Sequence, residues 1–182
     1  IYDGETYDAR VTPENWRFCR TDSCGKQMLI PQEGEIVTEH EQLKPVAVLH
    51  TPKGEMVLDF GQEITGYAEF TVQARAGERV LLSCAEVLDA KSRIEYICRG
   101  GIQTGRAHHT FYGFRYLRVD EAPEGWQAEN FTAVCVYSDL QINGWIRTSD
   151  PLLNQLYQNI VWGEKDNLLD VPTDCPQRDE RL

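Results

Sequence analysis

Positive charge is what this chain has least of: 18 Lys and Arg stand against 29 Asp and Glu, a formal net charge of −11 over 182 residues. An acidic surface gains nothing from counterion release on a polyanion, so nucleic acid and anionic membranes are set aside as partners. No apolar run approaches the roughly 20 residues of a membrane span. Paired short cysteine spacings are missing too. Cys19 and Cys24 lie close together, but Cys84, Cys98, Cys135 and Cys175 are scattered, so no zinc site is expected. His108 and His109 are adjacent, which in a strand would send them to opposite faces. The expectation is no metal and no cofactor, with most cysteines acting as small buried hydrophobes. There is no internal repeat and no low-complexity tract. Because the first residue is Ile1, a missing leader says nothing about compartment.

What is present has two periods. With 41% hydrophobic residues the chain can build one good core and fragments of others. Between about Val46 and Tyr137 short alternating runs at 69–73, 79–83, 114–119 and 130–137 predict an antiparallel β-sandwich. Gly77 fits a hairpin turn between the first two runs, and Pro123 to Gly125 a turn between the last two. Before Pro45 the chain is more polar and irregular. After Gln141 the period changes. Ser149 and Asp150 offer an N-cap, Pro151 suits a first helical turn, and Leu152, Leu153, Leu156, Tyr157, Ile160 and Val161 recur at helical spacing. A helix from Pro151 to about Leu168 is expected, with an apolar face broad enough to need further helices against it.

Other conspicuous residues have structural readings. The glycines of the DFGQE run (59–63) and Gly66 mark turns or close backbone approach rather than a sugar contact. Glu86 and Asp89 suit a solvated strand end. Tyr112, Phe114 and Tyr116 share one strand face and suit packing. Arg115 and Arg118 fall on opposite faces and make no basic patch.

The final stretch, PTDCPQRDERL (172–182), concentrates Asp174, Asp179 and Glu180 with Arg178 and Arg181. Its prolines rule out a continuous helix, so a loop is expected. Taken alone, such a stretch is most often a solvated tail. The longer run DVPTDCPQRDERL (170–182), however, resembles the signature of the bacterial and fungal α-L-rhamnosidases. Further similarity to that family occurs in the same order at DGETYDAR (3–10), LDFGQEITGY (58–67), Ala76-Gly77 followed by AEVLD (85–89), YGFRYLRV (112–119) and NQLYQN (154–159), so it covers essentially the whole chain.

The resemblance implies an inverting glycoside hydrolase with an (α/α)6-barrel catalytic domain behind β-sandwich domains. On that basis residues 1–45 are expected as the tail of a preceding sandwich with a linker, 46–140 as a β-sandwich, and 141–182 as a linker, first helix and acid-bearing loop of a truncated barrel. It also implies that Glu180 is the general acid, that the Asp174 carboxylate accepts hydrogen bonds from rhamnose hydroxyls, and that the Arg178 guanidinium donates to them. Like charges at Asp174 and Asp179 would keep Glu180 protonated, while Arg178 and Arg181 would oppose this. The expected substrates are rhamnose-containing glycosides. The family's aromatic wall, a further sugar-binding Asp and the general base have no counterpart in this sequence, so the isolated chain is expected to be inactive. The competing reading is a non-catalytic carbohydrate-binding or structural β-sandwich whose helix is only a connector.

Overall fold

Among the described residues, alternating apolar positions and glycine-marked turns produce nine strands in one hydrogen-bonded sheet, followed by a single α-helix and a small three-stranded sheet. A computed structural model describes residues 4–23, 25–86, 92–176 and 178–181, the last four through the backbone alone. The strands of the large sheet are β1 (Glu5–Asp8), β2 (Val37–Leu43), β3 (Ala47–His50), β4 (Met56–Ala74), β5 (Arg79–Ala85), β6 (Ser92–Ile97), β7 (Gly101–Arg106), β8 (Tyr112–Glu121) and β9 (Phe131–Ser138). Its order is β1-β6-β5-β8-β4-β9-β2, with β3 and β7 also pairing with β4. Pairing is antiparallel except between β1 and β6, which run parallel.

The 19-residue β4 organises the fold because different neighbours use its two halves. Its first part pairs with β3 and β8, and its last part with β7 and β9. Between Asp59 and Ile64 the register with β8 shifts, and Gly61 takes a φ of 77°. An irregularity of this kind bends a strand and increases its twist. The expected sandwich is thereby realised as one curled sheet closing around a core of Leu58, Ile64, Phe70, Leu82, Phe114 and Phe131. Each such side chain contributes roughly 1.5–3 kcal/mol by leaving water.

Gly77 does occupy a turn, with φ 92° and Glu78 N–H donating to Arg75 C=O at 3.2 Å. It does not close a hairpin, because β4 and β5 flank β8 and do not pair. The physical reason is that turn chemistry reverses the chain without choosing the strand it pairs with. β8, more than 25 residues further on, takes the place between them. Three cysteines, Cys84, Cys98 and Cys135, are buried free thiols, and Cys19 is exposed. Burial pushes the Cys135 thiol up to about 12, which leaves it inert. Cys24 and Asp89 lie outside the described residues.

The helix, α1, spans Pro151–Asp166. Asp150 caps it by accepting from Leu152 N–H at 2.8 Å, and Pro151 lies in its first turn. It ends two residues before the expected Leu168, because Asn167 leaves the helical region and Leu168 enters a strand. Leu152, Leu153, Leu156 and Ile160 are exposed, so the apolar stripe is largely uncovered, while Trp162 packs on the sheet core.

Candidate functional site

The segment after α1, expected as a loop, is an ordered hairpin. Strand β10 (Leu168–Leu169) pairs with β11 (Val171–Cys175), which pairs in turn with β12 (Arg178–Arg181). The two prolines exclude helix but not extended pairing: Pro172 stands opposite Leu168 near the start of β11, and Pro176 falls in the turn after it. Thr173 is buried and Asp174 exposed, so the carboxylate that sequence similarity singled out is on the outer face. The backbone of Arg181 lies opposite Thr173 and that of Arg178 opposite Cys175, with a register shift between. Asp174 on one strand therefore stands across from the backbone of Asp179 and Glu180 on the other. The side chains of Arg178 and Glu180 lie outside the described ones.

Long-range contacts hold the base of this hairpin. Asp170 adopts a φ of 69°, a left-handed conformation that Asp tolerates better than most residues. Its N–H donates to Ser138 Oγ at the end of β9 (2.8 Å), and its Oδ1 accepts from Gln32 Nε2 (3.1 Å). Thr173 N–H donates to Asn167 C=O at 2.8 Å, which ties β11 to the residue capping α1.

The helix end is itself fastened to β4. Asp166 Oδ1 accepts from Thr65 N–H at 3.0 Å, and Thr65 Oγ1 donates to Asp166 C=O at 2.6 Å. Next to it, Lys165 Nζ meets Glu41 Oε1 at 2.5 Å and lies over the rings of Trp162 and Tyr137. Tyr137 donates to Glu41 at 2.7 Å. Burial pushes the Asp166 carboxyl up to about 7, against the pull of Thr65 N–H and Lys165. Burial, with Glu86 and Asp166 as like charges, raises Glu63 to about 7 as well.

These raised values have a definite sign. The folded chain keeps a proton that the unfolded chain has already released, so the contribution is greatest below the ordinary carboxylate pKa of about 4 and is lost as pH rises through about 7. Amide exchange in the last turn of α1, corrected for intrinsic rates, should show weaker protection at pH 8 than at pH 5. Asp166→Asn should remove its share of that dependence and leave the share due to Glu63. A wild-type slope of the opposite sign would contradict the assignment.

The other motif residues have structural roles. Arg115 makes a two-pronged pair with Asp59 (2.8 and 2.9 Å) that holds the Asp59 carboxyl below its usual range, and Asp59 also accepts from Gly61 N–H. Tyr112 and Phe114 are core residues. Arg118 bridges Glu55 and Asp120. His108 and His109 lie in a bend rather than a strand, and their N–H groups both donate to Glu5. Among the described residues no group of three or more His, Cys, Asp or Glu could hold a metal ion, and no helix is long and apolar enough to cross a membrane.

Sequence reasoning missed Asp166, Thr65, Asp170, Ser138 and Gln32. One signal was available: an Asp in the last turn of a helix opposes the helix dipole, so it needs a donor from outside the helix.

Comparison with known proteins gives a consistent picture. The model described as the bacterial alpha-L-rhamnosidase concanavalin-like domain matches residues 49–137, and that of the bacterial alpha-L-rhamnosidase 6 hairpin glycosidase domain matches 141–182. An alpha-L-rhamnosidase of Streptomyces avermitilis is 31% identical over 206 residues, an alignment covering 100% of this chain and 20% of that protein. One from Alteromonas sp. is 30% identical, with 100% and 22% covered. Among solved structures, native alfa-L-rhamnosidase from Aspergillus terreus superposes with a TM-score of 0.87 at 32% identity, over 100% of this chain and 24% of that one. The Streptomyces avermitilis enzyme complexed with L-rhamnose gives 0.78 at 33% identity, over 85% and 16%. The chain thus spans about a fifth of the length of the curated relatives it matches.

Proposed function

The chain belongs to the bacterial α-L-rhamnosidase family, carrying its concanavalin-like domain and the beginning of its six-hairpin glycosidase domain, and on that premise we propose that it is a segment of a glycoside hydrolase that removes terminal α-L-rhamnose with inversion at the anomeric carbon. The observation that carries this reading is the anchored hairpin, which brings Asp174 across from the backbone of Glu180 at the end of the first helix of the glycosidase domain. In the proposed mechanism Glu180 gives its proton to the leaving glycosidic oxygen, and a second carboxylate activates water on the opposite face of the sugar. Asp174 accepts hydrogen bonds from rhamnose hydroxyls, and Arg178 donates to them as a planar fork. The second carboxylate is expected from the part of the glycosidase domain that the relatives possess and this chain does not span.

In this reading the β-sheet domain supports the site without carrying its chemistry. The glycosidase-domain match over 141–182 favours the enzyme over a stand-alone binding module, whose helix would be a mere connector. Residues 1–45 serve as the end of a preceding domain with its linker while lending β1 and β2 to the sheet, 46–140 as the sheet domain, and 141–182 as the entry to the barrel. The test is to follow the anomeric proton of rhamnose released from an aryl α-L-rhamnoside by a protein carrying this chain with a complete glycosidase domain. The β-anomer should appear first, and the 182-residue chain alone should release none. Initial release of the α-anomer, or no release by the longer protein, would overturn the reading.

A further inference from the structure

The reciprocal contact between Asp166 and Thr65 joins the last turn of α1 to the middle of β4. Thr65 is 1% exposed in the middle of β4, and the β4–β9 ladder begins only at the next residue, Gly66. Asp166 is 6% exposed at the other end of the contact, 101 residues away in sequence. A buried N–H or carboxylate without a partner is costly, so each group fixes the other's position.

From this contact a path of hydrogen bonds and chain neighbours runs to the hairpin. Thr65 holds Asp166, Asn167 follows as the helix cap, Asn167 C=O accepts from Thr173 N–H, and Asp174 is the next residue. The Asn167 side chain is held in turn through its donation to Gly163 C=O at 2.8 Å. A second tie, Asp170 N–H to Ser138 Oγ, fixes the reversal between β10 and β11 to the end of β9. Two neighbouring strands of the sheet thus each hold one point of the segment that leads to Asp174.

We propose that Thr65 and Asp166 are positioning residues that use the rigid β-sheet to set the acid-bearing hairpin in its working place, an inference that rests on the functional reading above. Neither residue touches substrate. Their effect reaches the site through the Asn167–Thr173 link, so loosening the contact should free the hairpin while leaving the distant sheet intact.

Amide exchange on the 182-residue chain tests the link directly. Thr65→Val keeps the shape of the side chain and removes its donor, and it should speed exchange at the Thr173 amide about tenfold or more. Amides of β5 and β6 should keep their protection, which shows that the fold survives. Thr65→Ser, which restores the hydroxyl, should bring Thr173 back towards the wild-type rate, and Asp166→Ala should behave like Thr65→Val. Unchanged exchange at Thr173 in a folded Thr65→Val chain overturns the proposal. In the longer protein Thr65→Val should lower kcat/KM for rhamnosides about tenfold, with recovery in Thr65→Ser. A loosened hairpin with unaltered kcat/KM likewise overturns it. If the unsubstituted longer protein shows no rhamnoside hydrolysis, the functional reading fails on its own account, and the exchange result still decides whether the latch exists.

Discussion

Gly66→Ala should lower the melting temperature of the chain by about 6–12 °C. A Cβ placed on Gly66 would sit 1.9 Å from the Val134 carbonyl oxygen and 2.9 Å from its carbon. Both atoms belong to the backbone of β9, so no side-chain rotation relieves the collision. The strands must separate where Gly66 pairs with Cys135, one residue from the Thr65 contact that holds α1. Forcing atoms into a close-packed core costs typically 1–3 kcal/mol, and a backbone obstacle puts this site at about 3 kcal/mol or more. For a chain of this size each kcal/mol shifts the melting temperature by about 2–4 °C. Gly163→Ala is the control, since nothing lies within 4 Å of its added Cβ and alanine favours helix. It should leave the melt unchanged or raise it slightly. If Gly66→Ala melts within 2 °C of wild type, β4 and β9 do not approach as closely as described.

Gly66 was legible in the sequence as a turn or a close backbone approach, of which the fold realises the second, and the kind of feature that was legible follows a pattern. Runs at 114–119 and 130–137 announced strands because each buries a dense series of large side chains, Phe114 and Phe131 among them. The start of α1 was legible because capping is local: Asp150 and Pro151 are neighbours of the turn they begin. β1 and β2 were not legible. They end the strand order of the sheet, their sequences ETYD and VTEHEQL are polar, and a strand with one partner needs little burial.

The hairpin at 171–181 escaped for a different reason. Prolines 172 and 176 announce what the backbone cannot be, and the extended pairing that results depends on ties to Asn167 and Ser138. Asp174, Arg178 and Glu180 stood out through their concentration and their resemblance to a family signature. The residues that hold the hairpin did not stand out, because they act through contacts to residues 32 to 138 positions away. A sequence displays its chemistry more readily than the scaffold contacts that aim it.

That chemistry supports the second large effect. In a protein carrying this chain with a complete glycosidase domain, Glu180→Gln should reduce turnover of natural rhamnosides by about 10² to 10⁴-fold, the usual worth of general acid catalysis. Glutamine keeps the shape of the side chain and its hydrogen-bonding reach, but it has no proton to give. The loss should depend on the leaving group. An alcohol with a high pKa needs the proton as the glycosidic bond breaks, whereas an activated aryl group departs with little help, so aryl rhamnosides should lose far less. Asp174→Asn should show no such dependence on the leaving group. In the proposed mechanism its contacts are to the sugar common to all substrates, and hydrogen bonds to a charged group are worth about 1.5–3 kcal/mol. A loss of roughly 10 to 100-fold in kcat/KM, similar for both substrate types, follows from that range. Measuring both variants on one alkyl and one aryl rhamnoside separates the roles, because only the proton donor makes the defect follow the leaving group. If Glu180→Gln costs little and costs the same on both substrates, the proton comes from another residue, and the hairpin's function reduces to holding the sugar.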